Sequence, residues 1–185
     1  MKVIDMRFDN NMLHSFIGLE FIKYKCDEFV YTNSVTGIVG LYIGDKVFSI
    51  SNIQESVDYF GNDDDIAVMK LKEVYDGNIK SVFNETTQID TPINGKIEDI
   101  TLINENQQIY KDGVLQYNVW LTRAIVFKVD GREILFEKDI VPFSEEILIQ
   151  RGYDLTKKVN DEKSFLDGWP NNLTPMCNRE SVVIK

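Results

Sequence analysis

Apolar and polar residues alternate along most of this chain, and short turn signals punctuate the alternation. The clearest stretch is a β-prone run from Val114 to Val129, then Asp130-Gly131, then a second run through Ile134 and Phe136 to Asp139. Asp-Gly between two such runs predicts a two-residue hairpin, because a type I′ turn needs positive φ at both central positions. That turn pairs Val129 with Arg132, Phe127 with Ile134 and Ile125 with Phe136, so four apolar side chains share one face. Lys128 and Glu133 meet on the other face with opposite charge. Turn and pattern choose the same register, and a slip by one residue would expose the whole apolar set.

The same logic predicts a hairpin over 38–51. Gly44-Asp45 suits a type II′ turn, and Leu41 then pairs with Phe48 and Val39 with Ile50. Asp76-Gly77, Asn94-Gly95 and Asp112-Gly113 are further hairpin signals, flanked by β-prone runs at 66–73, 89–93, 96–103 and 107–111. The signals at Asp76, Asn94, Asp112 and Asp130 recur every 18 residues. That interval fits a meander of strands about seven residues long. The 114–129 run contains no turn signal of its own and reads as one long, bent strand. Further strands are expected at 18–25, around Ile147 and Ile149, and at 181–184.

Helical spacing occurs twice. Asn52 precedes Ile53, Val57 and Phe60, with Gly61 as a stop, which predicts a short helix over 53–60 followed by an acidic loop over 61–65. Asp154 as an N-cap predicts a second helix over 154–166, with Gly168 near its end. The fold class that follows is mainly β: an antiparallel hairpin or meander sandwich, or an open barrel, with one or two short helices. Residues 1–185 read as a single β-rich domain with a C-terminal helical appendage within 144–185. A chain of this length buries about 70% of its unfolded surface, so it needs no disulfide or metal staple.

Charge changes the picture more than composition does. Thirty acidic residues against 20 basic ones give a net charge of −10. Nucleic acid and anionic membrane surfaces need clustered Lys and Arg, so neither is expected as a partner, whereas a basic protein is. No apolar run approaches the ~20 residues of a membrane helix, and charges interrupt the first residues where an export signal would be apolar. The cytoplasm is therefore the expected compartment, with Cys26 and Cys177 as free thiols.

Signatures of catalysis are missing. His14 is the single histidine, and no GxSxG elbow or phosphate-cradling glycine motif is present. One histidine and two separated cysteines make a poor zinc set. The run at 62–65 has the charge of a calcium loop without its spacing. No metal or cofactor is expected. One anomaly remains in the derived register, where Arg123 faces Lys138 on the apolar face. Like charges opposed there require a bulge, a position at the wet rim of the sheet, or an anion between them. Trp120 lies close by in sequence.

Function is not written in a motif. The leading expectation is a non-catalytic protein-binding module, in its sharpest form an acidic inhibitor or immunity-type protein that masks a basic partner. Asp58, Asp63, Asp64 and Asp65 would form its recognition surface. The alternative is a small-molecule barrel, or an enzyme with a carboxylate-based site, in which Arg123, Lys138 and Trp120 hold an anion.

Overall fold

The computed structural model describes residues 3–29, 32–59 and 61–185. In chain order its elements are β1 (Ile4–Met6), α1 (Asn10–His14), β2 (Glu20–Asp27), β3 (Ser34–Ile43), β4 (Lys46–Tyr59) and β5 (Asn62–Val74). There follow β6 (Gln88–Lys111), β7 (Val114–Val129), β8 (Arg132–Lys138), β9 (Glu146–Gly152), α2 (Lys163–Leu166) and β10 (Leu173–Ile184). The protein is mainly β, as the alternation predicts.

Six strands pair in a ring: β6 with β7, then β8, β9, β3 and β2, which returns to β6. All six pairings are antiparallel. Three pieces extend the ring, with β10 along β6, β1 parallel to β7, and the β4–β5 hairpin on β3. Alternation sends one face of each strand inward. Phe21, Leu41, Leu102, Ile125, Phe127, Phe136 and Ile149 join one buried cluster drawn from all six ring strands. Phe127 meets Phe21 and Phe136 edge-on, with ring centroids 5.2 and 6.1 Å apart, a favoured aromatic geometry.

Three predicted hairpins form in the predicted register. Asp130 and Gly131 have φ of 47° and 74°, Asp112 and Gly113 of 51° and 75°, and Gly44 of 60°. Phe127 pairs with Ile134, Ile125 with Phe136, Leu41 with Phe48, and Val39 with Ile50. Lys128 pairs with Glu133 in register, yet its ammonium reaches Glu98 at 3.0 Å instead.

Two other turn signals serve different ends, and the meander fails with them. Asp76-Gly77 lies in a 3-10 turn, with neither residue at positive φ. The Tyr42 hydroxyl donates to the Asp76 carboxylate, and Ile79 packs over Gly40, where an added Cβ would come within 2.9 Å of it. The connection therefore crosses β3 and delivers β6 to β2 rather than to β5. At Asn94-Gly95 only Asn94 has positive φ, 53°. One left-handed residue makes a bulge, not a reversal, and three steps along β6, Gly95 to Pro92, oppose two along β2, Phe21 to Lys23. β6 thus runs unbroken for 24 residues.

The helix expected over 53–60 is strand. β4 pairs continuously with β5 from Asn52↔Met69 to Tyr59↔Asn62, and Ile53 remains 38% exposed, so its helical face had nothing to bury against. Tertiary pairing overrides the spacing. Phe60 lies outside the described residues. The expected acidic loop is likewise the start of β5. The expected helix over 154–166 breaks into a 3-10 turn, Leu155–Lys157, and the single-turn α2. Asp154 cannot cap a longer helix because it sits in the left-handed region at φ 54°, where an N-cap needs extended backbone.

Candidate functional site

β4 parts from β3 at Asn52, where the last pair is Gly37↔Asn52, and β9 takes over β3 from Thr36. Asn52 fastens the fork, with its amide donating to the carbonyls of Ser144 and Glu146 at 3.0 and 3.1 Å. The segment entering β9 is stitched to the β4–β5 hairpin by Ala67 N–H to the Pro142 carbonyl at 3.0 Å and Gln54 Nε2 to the Phe143 carbonyl at 2.9 Å. This anchoring holds Val141 and Phe143 in the open, 49% and 56% exposed.

Across from that segment, α2 and the turn after it present aromatic rings. Phe165 stacks on Tyr117 of β7 at 6.3 Å and 26°, and Trp169 meets Phe165 edge-on at 5.6 Å. The Trp169 indole N–H donates to the Phe165 carbonyl, which fixes the ring. Between the two walls lies a cleft of about 490 Å³, lined by Ile66, Tyr117, Ile140, Val141, Pro142, Phe143, Phe165 and Trp169, with Asp64 and Asp167.

One wall carries the aspartates singled out from sequence. In β5, Asp63, Asp64 and Asp65 are exposed and pair with Asp58, Val57 and Ser56 of β4. The Asp58 carboxylate accepts from Gly61 N–H at 2.7 Å. The structure therefore brings all four aspartates to the hairpin tip, and Asp64 reaches the cleft itself.

Beneath the cleft is a cavity of about 20 Å³, room for roughly one water. It shares Ile66, Tyr117, Ile140 and Pro142 with the cleft and adds Gln107, Arg123, Lys138 and Asp139. Arg123 and Lys138 meet here without pairing across strands. The β7–β8 ladder ends at Ala124↔Glu137, and Arg123 is the extra residue of a bulge against β6, where Ile103↔Ala124 is followed by Asn104↔Thr122. Its guanidinium donates to the carbonyls of Lys138 and Asp139 at 3.1 and 2.8 Å and to Glu105 at 2.8 Å. Arg179 of β10 holds the other oxygen of Glu105 at 2.6 Å. Burial alone would raise the Glu105 carboxyl, but Arg123 and Arg179 outweigh it and hold the group below its ordinary value. Lys138 is 5% exposed and makes one long hydrogen bond, to the Asp139 carbonyl at 3.4 Å. Burial, and then the Arg123 charge, push its ammonium down to about 8.

Trp120 stays apart from this group. It lies half-buried in register with Asp5 of β1, and the Arg7 guanidinium covers its ring at 4.5 Å. His14 is exposed at the end of α1, and the neighbouring Ser15 hydroxyl donates to the Met12 carbonyl rather than to the imidazole. Cys26 and Cys177 are free thiols, both pushed up to about 12 by burial. Among the described residues no group of three His, Cys, Asp or Glu is placed to hold a metal, and no helix is long and apolar enough to cross a membrane.

Sequence reasoning missed the aromatic wall and the carboxylate beneath it. Val141-Pro142-Phe143 and Gly168-Trp169-Pro170 were the available signals, bulky apolar residues set in turn chemistry. Glu105 had none, since it sits in the polar run Asn104-Glu105-Asn106-Gln107 that looks like a solvated strand and is buried throughout. No family model, curated protein or solved structure matches the chain.

Proposed function

We propose that this chain is a non-catalytic binding module, of the inhibitor or immunity type, that takes a basic segment of a protein partner into the aromatic cleft. The observation that carries the reading is the juxtaposition of exposed Trp169 and Phe143 and half-buried Phe165 with the carboxylates of Asp64 and Asp167 in one cleft, beside the aspartates of the hairpin tip. Aromatic walls bury an apolar anchor and the aliphatic stems of Lys or Arg. A cationic head over Trp169 gains further from the ring face. The clustered carboxylates and the net charge of −10 steer a basic partner and speed its arrival. The anion-binding alternative has weaker support, because Arg123 already neutralises Glu105 and donates to two carbonyls.

The test uses Trp169 as reporter in a Trp120→Phe background. A peptide alternating arginine with leucine and phenylalanine should change its emission on titration, and the same peptide with glutamate for arginine should not. Replacing Asp63, Asp64 and Asp65 by Asn should weaken binding about tenfold at low salt, roughly 1.4 kcal/mol. Raising the salt should erase most of that difference. Equal binding of the acidic peptide, or a triple variant that binds as tightly as its parent at low salt, overturns the reading.

A further inference from the structure

We propose that Lys138 is a carbonyl-capturing amine, whose ε-amino group, in the small cavity adjoining the aromatic cleft, condenses with the aldehyde of an aromatic or aliphatic ligand to form an imine. The inference needs no protein partner and stands apart from the reading above. Three geometric facts carry it. First, Lys138 is buried at 5% exposure, yet its Nζ has a single hydrogen bond of 3.4 Å, and among the described residues it joins no salt bridge. Surface lysines here do better, as Lys46 with Glu73 at 2.9 Å and Lys23 with Asp90 at 2.7 Å show. Second, the cavity that Lys138 lines adjoins the cleft, with Ile66, Tyr117, Ile140 and Pro142 lining both. Third, the adjoining cleft is lined mostly by apolar side chains and, at about 490 Å³, matches the size of small-ligand sites.

The charged and titratable groups around the amine are Arg123 from β7, Glu105 from β6, the adjoining Asp139, and Tyr117 in the same cavity wall. Burial and Arg123 disfavour the ammonium, and the two carboxylates only partly oppose them. A lysine beside another cation in an apolar site is activated as a nucleophile in just this way. In the step itself, the lone pair of the neutral amine attacks the carbonyl carbon. One proton passes from nitrogen to oxygen to give the carbinolamine. The hydroxyl then takes up a second proton and leaves as water as the C=N bond forms, and the nitrogen gives up its remaining proton. The ligand is thus an aldehyde whose apolar body fills the cleft.

The experiment treats the intact protein at pH 7.4 with benzaldehyde and cyanoborohydride, which delivers hydride to any imine and fixes it as a secondary amine. Peptide mass spectrometry then follows each lysine. At that pH an amine titrating at about 8 is neutral in about one molecule in five, and an ordinary lysine in about one in a thousand. N-benzylation of Lys138 should therefore outpace that of exposed Lys157 by at least about tenfold. Its rate should rise to half-maximum near pH 8, and the preference should vanish in 8 M urea. Labelling of Lys138 no faster than Lys157 in the folded protein overturns the proposal, whether the amine is charged or the cavity is closed. So does a preference that survives unfolding.

Discussion

Over residues 123–127 and 134–138 both faces of the β7–β8 pair are dry, yet they are built from opposite chemistry. Inward, Ile125, Phe127, Ile134 and Phe136 meet other apolar side chains across the ring. Outward, Ala124, Val126 and Leu135 pack under Leu155 and Val159, and beside them lie Glu137, Arg123 and, on β6, Glu105. On the inner face any one contact can be weakened and the others remain. On the outer face each charge is tolerable only while its partners are present, since a lone buried ion has no water to fall back on. The difference is one of dependence: apolar burial is a sum, and a buried ion network is a set.

The strongest way to break that contrast is to delete one member from each side. Glu105→Ala leaves the Arg123 and Arg179 guanidiniums without their shared carboxylate and should lower stability by about 3–5 kcal/mol. Phe136→Ala should cost a similar ~3–5 kcal/mol. Urea midpoints would give both values. The two losses then separate by rescue. Replacing Glu105, Arg123 and Arg179 together by Leu, Met and Leu should recover most of the first loss, because a complete apolar substitute avoids the desolvation of every ion. Recovery of less than half would show that the network adds stability beyond its own neutralisation.

Acid titration gives a smaller effect with a definite sign. The Glu105 carboxyl is held below its ordinary value by its two arginines, against the opposing effect of burial. Its contribution is therefore complete above the unfolded value, about 4.3, and is lost as pH falls through the folded one. Glu137 behaves oppositely. Burial raises its carboxyl, and the Asn160 backbone N–H, which donates to one oxygen at 3.0 Å, and the Asn160 side chain only partly offset this. Its contribution is complete below the unfolded value and is lost as pH rises through the folded one. Thermal melts of Glu105→Gln should thus lose stability less steeply on acidification than the parent. The smallest change is expected for Glu137→Gln, a gain of about 1 kcal/mol or less near pH 7, with a flatter decline on going from pH 4 to pH 7. A steeper decline in that variant would contradict the assignment.

This contrast also explains what could be read from the sequence. The 130–131 hairpin was legible because its turn residues, its alternation and its register all lie within 16 residues of one another. Asn94 and Asp76 carry the same local chemistry, yet a turn dipeptide states only that positive φ is permitted. Where the chain goes next was decided by β2, far upstream, which claims the first part of β6. The outer face was illegible for the same reason. Glu105 finds Arg123 18 residues away and Arg179 74 residues away, and the segment that covers them reads in the sequence as part of a helix that does not form. The cleft needed three remote pieces, β5, the entry to β9 and α2, before its aromatic residues could be seen as one surface.

A ring of strands has no edge, so the closure of β6 on β7 leaves few backbone groups open to recruitment by another chain. The open rims belong to the three extensions. β1 is only three residues long, and β10 carries Pro175, which offers no N–H, together with charged Arg179 and Glu180. The rim of β5 is the longest that continues a hairpin, and three adjacent aspartates follow its first residue, Asn62. A second copy adding itself there in register would set carboxylate against carboxylate. The aspartates proposed for recognition would thus also oppose strand-by-strand growth at this rim.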